Sequence, residues 1–107
     1  MAVNAPVQIF AGLLAAASGN MGSAVATSTL RVLKEIHLYN SGAGANVVKI
    51  RRVGTDTDVG NIVHETMAAG ATLNLPFSQA WIAGEQMKGF ATTASEVHCI
   101  ASGITVT

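Results

Sequence analysis

The feature that most constrains this chain is its punctuation. Alternating apolar runs of strand length are broken roughly every 8–12 residues by phrases rich in Gly and Asn, the spacing of an all-β domain. In "TLRVLKEIHLYN", Leu30, Val32, Ile36 and Leu38 share one parity, and Arg31, Glu35, His37 and Tyr39 the other. Such period-two alternation marks a strand with one buried face, and only Leu33 and Lys34 break it. "NSGAG" supplies a turn, because Asn and Gly tolerate positive φ. "ANVVKIRRV" is then expected to return alongside the strand before it. "GTDTDVG" is the next turn and "NIVHETM" a further strand.

The phrase Ala-Gly occurs twice in similar settings, at Ala69-Gly70 and Ala83-Gly84. Each places a residue of free φ at a tight turn and enters a strand at once. The first copy opens "ATLNLPF", with Leu73, Leu75 and Phe77 on one face; the second opens "EQMKGFATT". "PVQIFAGLL" reads as the first strand, followed by a loop through "SGNMGS", and "EVHCIASGITVT" as the last. "FSQAWIAGE" has room for a single helical or 3₁₀ turn, and no segment carries a helical stripe. These signals predict one all-β domain, an antiparallel β-sandwich or jelly roll of about seven or eight short strands without a long helix.

Charge sets the second constraint. Only 11% of the 107 residues are charged, against about 25% in ordinary soluble domains. A domain of this size has much surface to cover, so small polar residues or other protein must cover it. The six basic and six acidic residues all follow Leu30 and cancel, leaving no global field to attract nucleic acid or an anionic membrane. The uncharged opening divides the chain into residues 1–28, an apolar strand or arm, and residues 29–107, the remaining sandwich. Val7, Ile9, Phe10, Leu13 and Leu14 in that opening serve either as an ordinary first strand or as a contact with a neighbouring subunit. Pro occurs only at positions 6 and 76, so edge strands need another cover, and a second copy would supply it. The opening has no basic residue before its apolar run and is too interrupted to span a membrane, so neither a signal peptide nor a transmembrane segment is expected.

Motifs that carry chemistry are few. His64-Glu65 lacks the second His that a zinc-protease helix requires. His37, His64 and His98 are isolated in sequence, and no metal site or cofactor is expected from their spacing. Asp56-Thr57-Asp58 fits turn chemistry better than a calcium loop, whose further ligands are missing. The lone Cys99 sits in an apolar run and reads as a small core residue. The densest charge is Lys49, Arg51 and Arg52, with Arg31 and Lys34 on the strand expected to pair with theirs. Glu35 and the following aspartates dilute that patch, which suits a partner's carboxylates better than nucleic acid. Trp81 is either core or an interface anchor. No catalytic set emerges.

Taken together, "LKEIHLYNSGAGANVVKIRRV" and "AAGATLNLPFSQAWIAGEQMKGFA" resemble small β-sandwich virion structural proteins of tailed bacteriophages. Asn40-Ser41-Gly42 ends one strand, Val47 to Val53 form the next, and the second Ala-Gly turn carries the acidic Glu85. The resemblance spans Leu30 to the last residue. It implies a non-enzymatic role in the virion, with no catalytic residue to carry over. The first expectation is a capsid decoration (cement) protein, often a trimer, whose partners are its own copies and the major capsid protein. Fewer than thirty residues precede the sandwich, which favours a small protein laid against a lattice over a projecting fibre. Val7, Ile9, Phe10, Leu13, Leu14, Arg51, Arg52 and Trp81 are the candidate subunit or shell contacts. The alternatives are a neck, collar, tail or receptor-binding module, and then a non-viral carbohydrate- or calcium-binding sandwich.

Overall fold

A computed structural model describes residues 4–17, 19–54 and 58–107. Eight strands follow one another: β1 (Asn4–Leu13), β2 (Gly19–Met21), β3 (Leu30–Asn40), β4 (Asn46–Val53), β5 (Asp58–Met67), β6 (Thr72–Trp81), β7 (Gln86–Ala91) and β8 (Val97–Val106). They form two four-stranded antiparallel sheets, ordered β1-β8-β3-β6 and β2-β7-β4-β5. The first strand pairs with the last, the second with the seventh, the third with the sixth and the fourth with the fifth. A long ribbon doubled at β4–β5 and rolled up gives this order, which is the jelly roll. There is no helix among the described residues.

Apolar residues at alternate positions close the space between the sheets. Leu33, Ile36 and Leu38 of β3, Val48 and Ile50 of β4, and Val97, Cys99 and Ala101 of β8 are fully buried. Leu33 and Ile36 cannot both face inward on a regular strand, since their numbers differ in parity. A bulge between Leu33 and Glu35 resolves this, with β3 slipping one residue against both β6 and β8. Leu30 and Val32, ahead of the bulge, therefore lie on the outer face, opposite to where strict alternation with Ile36 and Leu38 puts them. Without the bulge either Leu33 or the Ile36–Leu38 pair would be turned out, at about 2 kcal/mol per side chain.

The two Ala-Gly phrases make the same turn. Ala71 N–H donates to Ala68 O at 3.0 Å, and Glu85 N–H to Ile82 O at 3.1 Å. The third residue of each, Gly70 (φ 75°) and Gly84 (φ 88°), lies in the left-handed region. Positive φ at that position alone defines a type II turn, where a side chain would be strained. Leu73, Leu75 and Phe77 share the inner face of β6, as expected.

Three expectations are corrected. "FSQAWIAGE" holds no helical turn, because β6 runs unbroken to Trp81 and the type II turn follows. The "SGNMGS" loop contains β2, which the short apolar content of Gly19–Met21 conceals and which β7 recruits by pairing. β3 and β4 do not pair, since the loop between them crosses from one sheet to the other. The Asp56-Thr57-Asp58 turn falls at residues 55–57 and the Asp58 side chain, outside the described residues.

The crossing loop is held by a buried amide. Asn40 is fully buried and its Nδ2 donates to Gly44 O, Met67 O and Ala68 O at 2.9, 3.0 and 3.2 Å. Its Oδ1 accepts from Gly42 N–H at 3.0 Å and from Asn46 Nδ2 at 3.1 Å. Asn46, also buried, donates to Glu96 Oε1 at 3.0 Å and accepts from Thr93 N–H at 2.8 Å. Side chains thus tie together the loops β3–β4, β5–β6 and β7–β8 at one end of the sandwich, satisfying backbone groups that no ladder reaches.

Candidate functional site

The residues with catalytic or metal-binding potential are dispersed by the fold. His37 Nδ1 is hydrogen-bonded to Asn74 Oδ1 across β3 and β6. His98 lies against the Tyr39 ring, centroids 5.9 Å apart. His64, in the β2-β7-β4-β5 sheet, is exposed on β5 opposite Lys49 of the neighbouring β4. Among the described residues no three His, Cys, Asp or Glu side chains gather as a metal set. Cys99 is fully buried, and burial pushes its thiol up to about 12, so at neutral pH it is a protonated core side chain.

The sequence-level basic patch separates into three environments. Arg52 holds Glu85 by two parallel bonds, Nε to Oε2 at 2.8 Å and Nη2 to Oε1 at 2.7 Å. Its Nη2 also donates to Ala80 O at 2.9 Å, and its guanidinium stacks 5.2 Å from the Trp81 ring centre. Glu85 Oε1 accepts the Ile82 N–H at 2.7 Å, closing the second Ala-Gly turn from the side. The Arg52 hydrogen bonds hold the Glu85 carboxyl below the usual range; burial opposes that shift, and the Ile82 N–H and the Arg52 charge add to it. Arg31 points inward and donates from Nη1 to Ser23 O at 3.0 Å. Lys34 stands exposed beside Glu35 on the other sheet. The expected pairing of β3 with β4 is absent, so Arg31 and Lys34 do not join Lys49, Arg51 and Arg52.

The candidate contact residues are also sorted by the fold. Ile9, Leu14 and Trp81 are buried in the chain's own core, Val7, Phe10, Arg51 and Arg52 are half-buried, and Leu13 is 46% exposed. Trp81 Nε1 donates to Gln79 Oε1 at 3.2 Å, so the ring is packed and its polar atom satisfied. β1 is an edge strand, paired with β8 from Asn4 to Leu13 with a bulge at Ile9.

The outer face of the β1-β8-β3-β6 sheet carries two apolar groups of side chains, separated and edged by polar ones such as His37, Asn74, His98 and Ser102. Leu13, Tyr39 (41% exposed) and Ile100 (47% exposed) cluster at one end. Half-buried Leu30, Val32, Ile104 and Val106 occupy the other. Lys34 and Glu35 are the charged residues between them. Sequence reasoning passed over Tyr39 and Ile100; the odd–even alternation of β8 around buried Cys99 and Ala101 was the signal for Ile100.

Solved viral structures share this fold. A chain of the T13 particle of infectious bursal disease virus matches over 98% of this chain and 30% of the viral one, at 14% identity and TM-score 0.54. A chain of the Gx strain of that virus matches over 99% and 32%, at 14% identity and TM-score 0.55. A pentameric capsid protein from metagenomic phage sequences aligns over 97% of this chain and 58% of its own, at 12% identity and TM-score 0.40. No family model and no curated protein sequence matches the chain. The chain spans about a third of the length of the two infectious bursal disease virus chains. At such identities the fold is what is shared: this is a β-sandwich with the fold of part of those two infectious bursal disease virus chains.

Proposed function

We propose that the chain is a virion structural protein that decorates an assembled capsid shell and reinforces it as an oligomer. The observation that carries this reading is the exposed Leu13, Tyr39 and Ile100 on the outer face of the β1-β8-β3-β6 sheet, on a chain whose fold is shared with viral chains. Four strands about 4.8 Å apart and ten residues long present on the order of 600 Å². A neighbour covering that face removes a total above about 1,000 Å² from water, enough for a specific contact. Leu13 supplies the contact from residues 1–28, while Val7, Ile9, Phe10 and Leu14, packed on the core, anchor that segment to the sandwich of residues 29–107. Arg51, on the outer face of the other sheet, reaches a second neighbour, and Arg52 and Trp81 keep the adjoining turn in shape.

The mechanism is linkage. Copies that bind only the assembled shell stabilise that state against opening by mass action. A trimer engages several sites at once, so contacts that are weak singly add as avidity. The partners are the chain's own copies and the major capsid protein, and the work is done in the virion without catalysis.

The test is a pull-down of the purified protein with assembled phage shells and with unassembled capsid subunits, beside light scattering at micromolar concentration. Saturable binding to shells alone, by an oligomer that Leu13→Asp/Ile100→Asp disperses, is the expected result. A monomer that ignores shells and binds tails or envelope glycans would move the sandwich to the neck or receptor-binding class.

A further inference from the structure

The outer face of the second sheet has the opposite chemistry. Lys49 and Arg51 are two residues apart on β4, hence on one face and about 7 Å apart along the strand. In the register of β4 with β7, Arg51 lies directly opposite Lys88, and Lys49 directly opposite Phe90. The Lys49 ammonium sits over the Phe90 ring, 5.9 Å from its centre. Three of the chain's six Lys and Arg residues therefore form one strip at the middle of the β2-β7-β4-β5 sheet. Their neighbours on that face are Asn20, Asn61, His64 and Thr66. None of the described side chains on the face is a carboxylate. Glu65 has the opposite parity, opposite Val48; Glu85 is held by Arg52 and Glu96 by Asn46. Among the described residues neither Lys49 nor Lys88 is paired with an acid. An anionic partner supplies Lys49 and Lys88 with the counter-charge that the described side chains of this face lack.

We infer that this strip is a docking surface for a carboxylate-bearing protein surface, with Lys49 and Lys88 as its principal contacts and Arg51 between them. The inference deepens the proposed function by giving the chemistry of the shell that the chain would meet, and it rests on that reading for the identity of the partner. Nucleic acid fits the face less well. Four strands span about 14 Å between the outermost axes, wider than the roughly 12 Å major groove. Phe90 offers no free platform for a base, because Lys49 already lies over it. Three cations also make too short a track for a polyanionic backbone. The combination of a flat face, separated point charges and a planar guanidinium suits carboxylates fixed on a folded surface.

The test uses the full chain, labelled with ¹⁵N, and three probes: poly-L-glutamate, a twenty-residue oligothymidylate and vesicles containing phosphatidylglycerol. Poly-L-glutamate is expected to shift the amides of Lys49, Arg51, Lys88 and Phe90 and to leave those of β1 and β8 in place. Lys49→Glu/Lys88→Glu should weaken this binding about tenfold or more, and a rise in salt should weaken the wild type in the same way. Lys49→Glu alone should cost several-fold where Lys34→Glu, which changes the net charge equally on the other sheet, costs less than about twofold. Thermal melts of each variant establish that it is folded. Absence of shifts on the strip, equal effects of Lys34→Glu and Lys49→Glu, or tighter binding to the oligonucleotide or the vesicles would overturn the inference. Failure of the wild type to bind shells while poly-L-glutamate still contacts the strip removes the decoration reading and leaves the carboxylate preference standing.

Discussion

Asn40→Ala is the substitution from which the fold predicts the largest loss per atom removed. The side chain is fully buried and makes five polar contacts: its two amide hydrogens are shared among three carbonyl oxygens, and its Oδ1 accepts two hydrogen bonds. The bonds with Met67 O and with Asn46 lie in the interior, where a stranded partner costs about 1–3 kcal/mol. The other three are partly buried, water can replace them, and each is worth about 0.5 kcal/mol. The expected loss is about 4 kcal/mol, a large share of the roughly 5–15 kcal/mol that holds a domain together. In urea, with a slope near 1–1.5 kcal/mol/M for a chain this small, the midpoint should fall by about 3 M. Asn40→Asp sharpens the test. It matches the side chain in size but cannot donate, so it sets a carboxylate against three carbonyl oxygens, and it should be less stable than Asn40→Ala. A loss below about 1 kcal/mol for the alanine variant, or a more stable aspartate variant, would refute the assignment of this network as the clasp of the loops.

Two further outcomes follow from buried groups elsewhere. Glu85→Gln should cost about 2 kcal/mol at pH 7, because it removes the charge that Arg52 grips. The Glu85 carboxyl titrates below its usual range, so its contribution is fully present above that range and is lost as pH falls through the lowered folded value. The stability gap between wild type and variant, read from urea melts at stepwise lower pH, should therefore close on acidification; a constant gap would contradict the pairing. Cys99, buried with its thiol raised to about 12, should ignore a disulfide reagent at pH 8 in the native protein and react fully in denaturant. Rapid reaction of the native protein would mean that the core around β8 opens.

What the sequence makes legible here is local, and what it conceals is pairing between distant segments. The two type II turns can be read directly, since Gly70 and Gly84 follow Ala and precede alternating runs. So can the inner face of β6, where Leu73, Leu75 and Phe77 keep strict parity. The bulge at Lys34 cannot, because its visible trace, Leu33 out of step, looks like a flaw in the alternation. β2 has too few residues to signal a strand, and only its register with β7 makes it one. The mistaken pairing of β3 with β4 has the same origin: "NSGAG" reads as a hairpin turn, while Asn40 and Asn46 use its flanks to clasp three loops at a crossover between sheets. The candidate contacts follow suit. Arg51 and Arg52 are adjacent in sequence, yet one faces outward and the other turns in to Glu85. Lys88, which completes the basic strip, lies 37 residues from Arg51 and becomes its neighbour only through β4–β7 pairing.

The order of strands also sets a timetable for synthesis. β8 is the last of the eight to be made, yet it lies inside its sheet, between β1 and β3. From the completion of β3 at Asn40 to that of β8 at Val106, a ribosome adding about 5–20 residues per second needs roughly 3–13 s. During that interval β4 and β5 can close on each other, but β1 and β3 have no shared partner, and Leu33, Ile36 and Leu38 line an open sheet. Such waiting on distant pairings is what makes all-β chains slow to fold. The nascent chain is therefore exposed to self-association until β8 is made, and a ribosome stalled near residue 96 would hold it in that state.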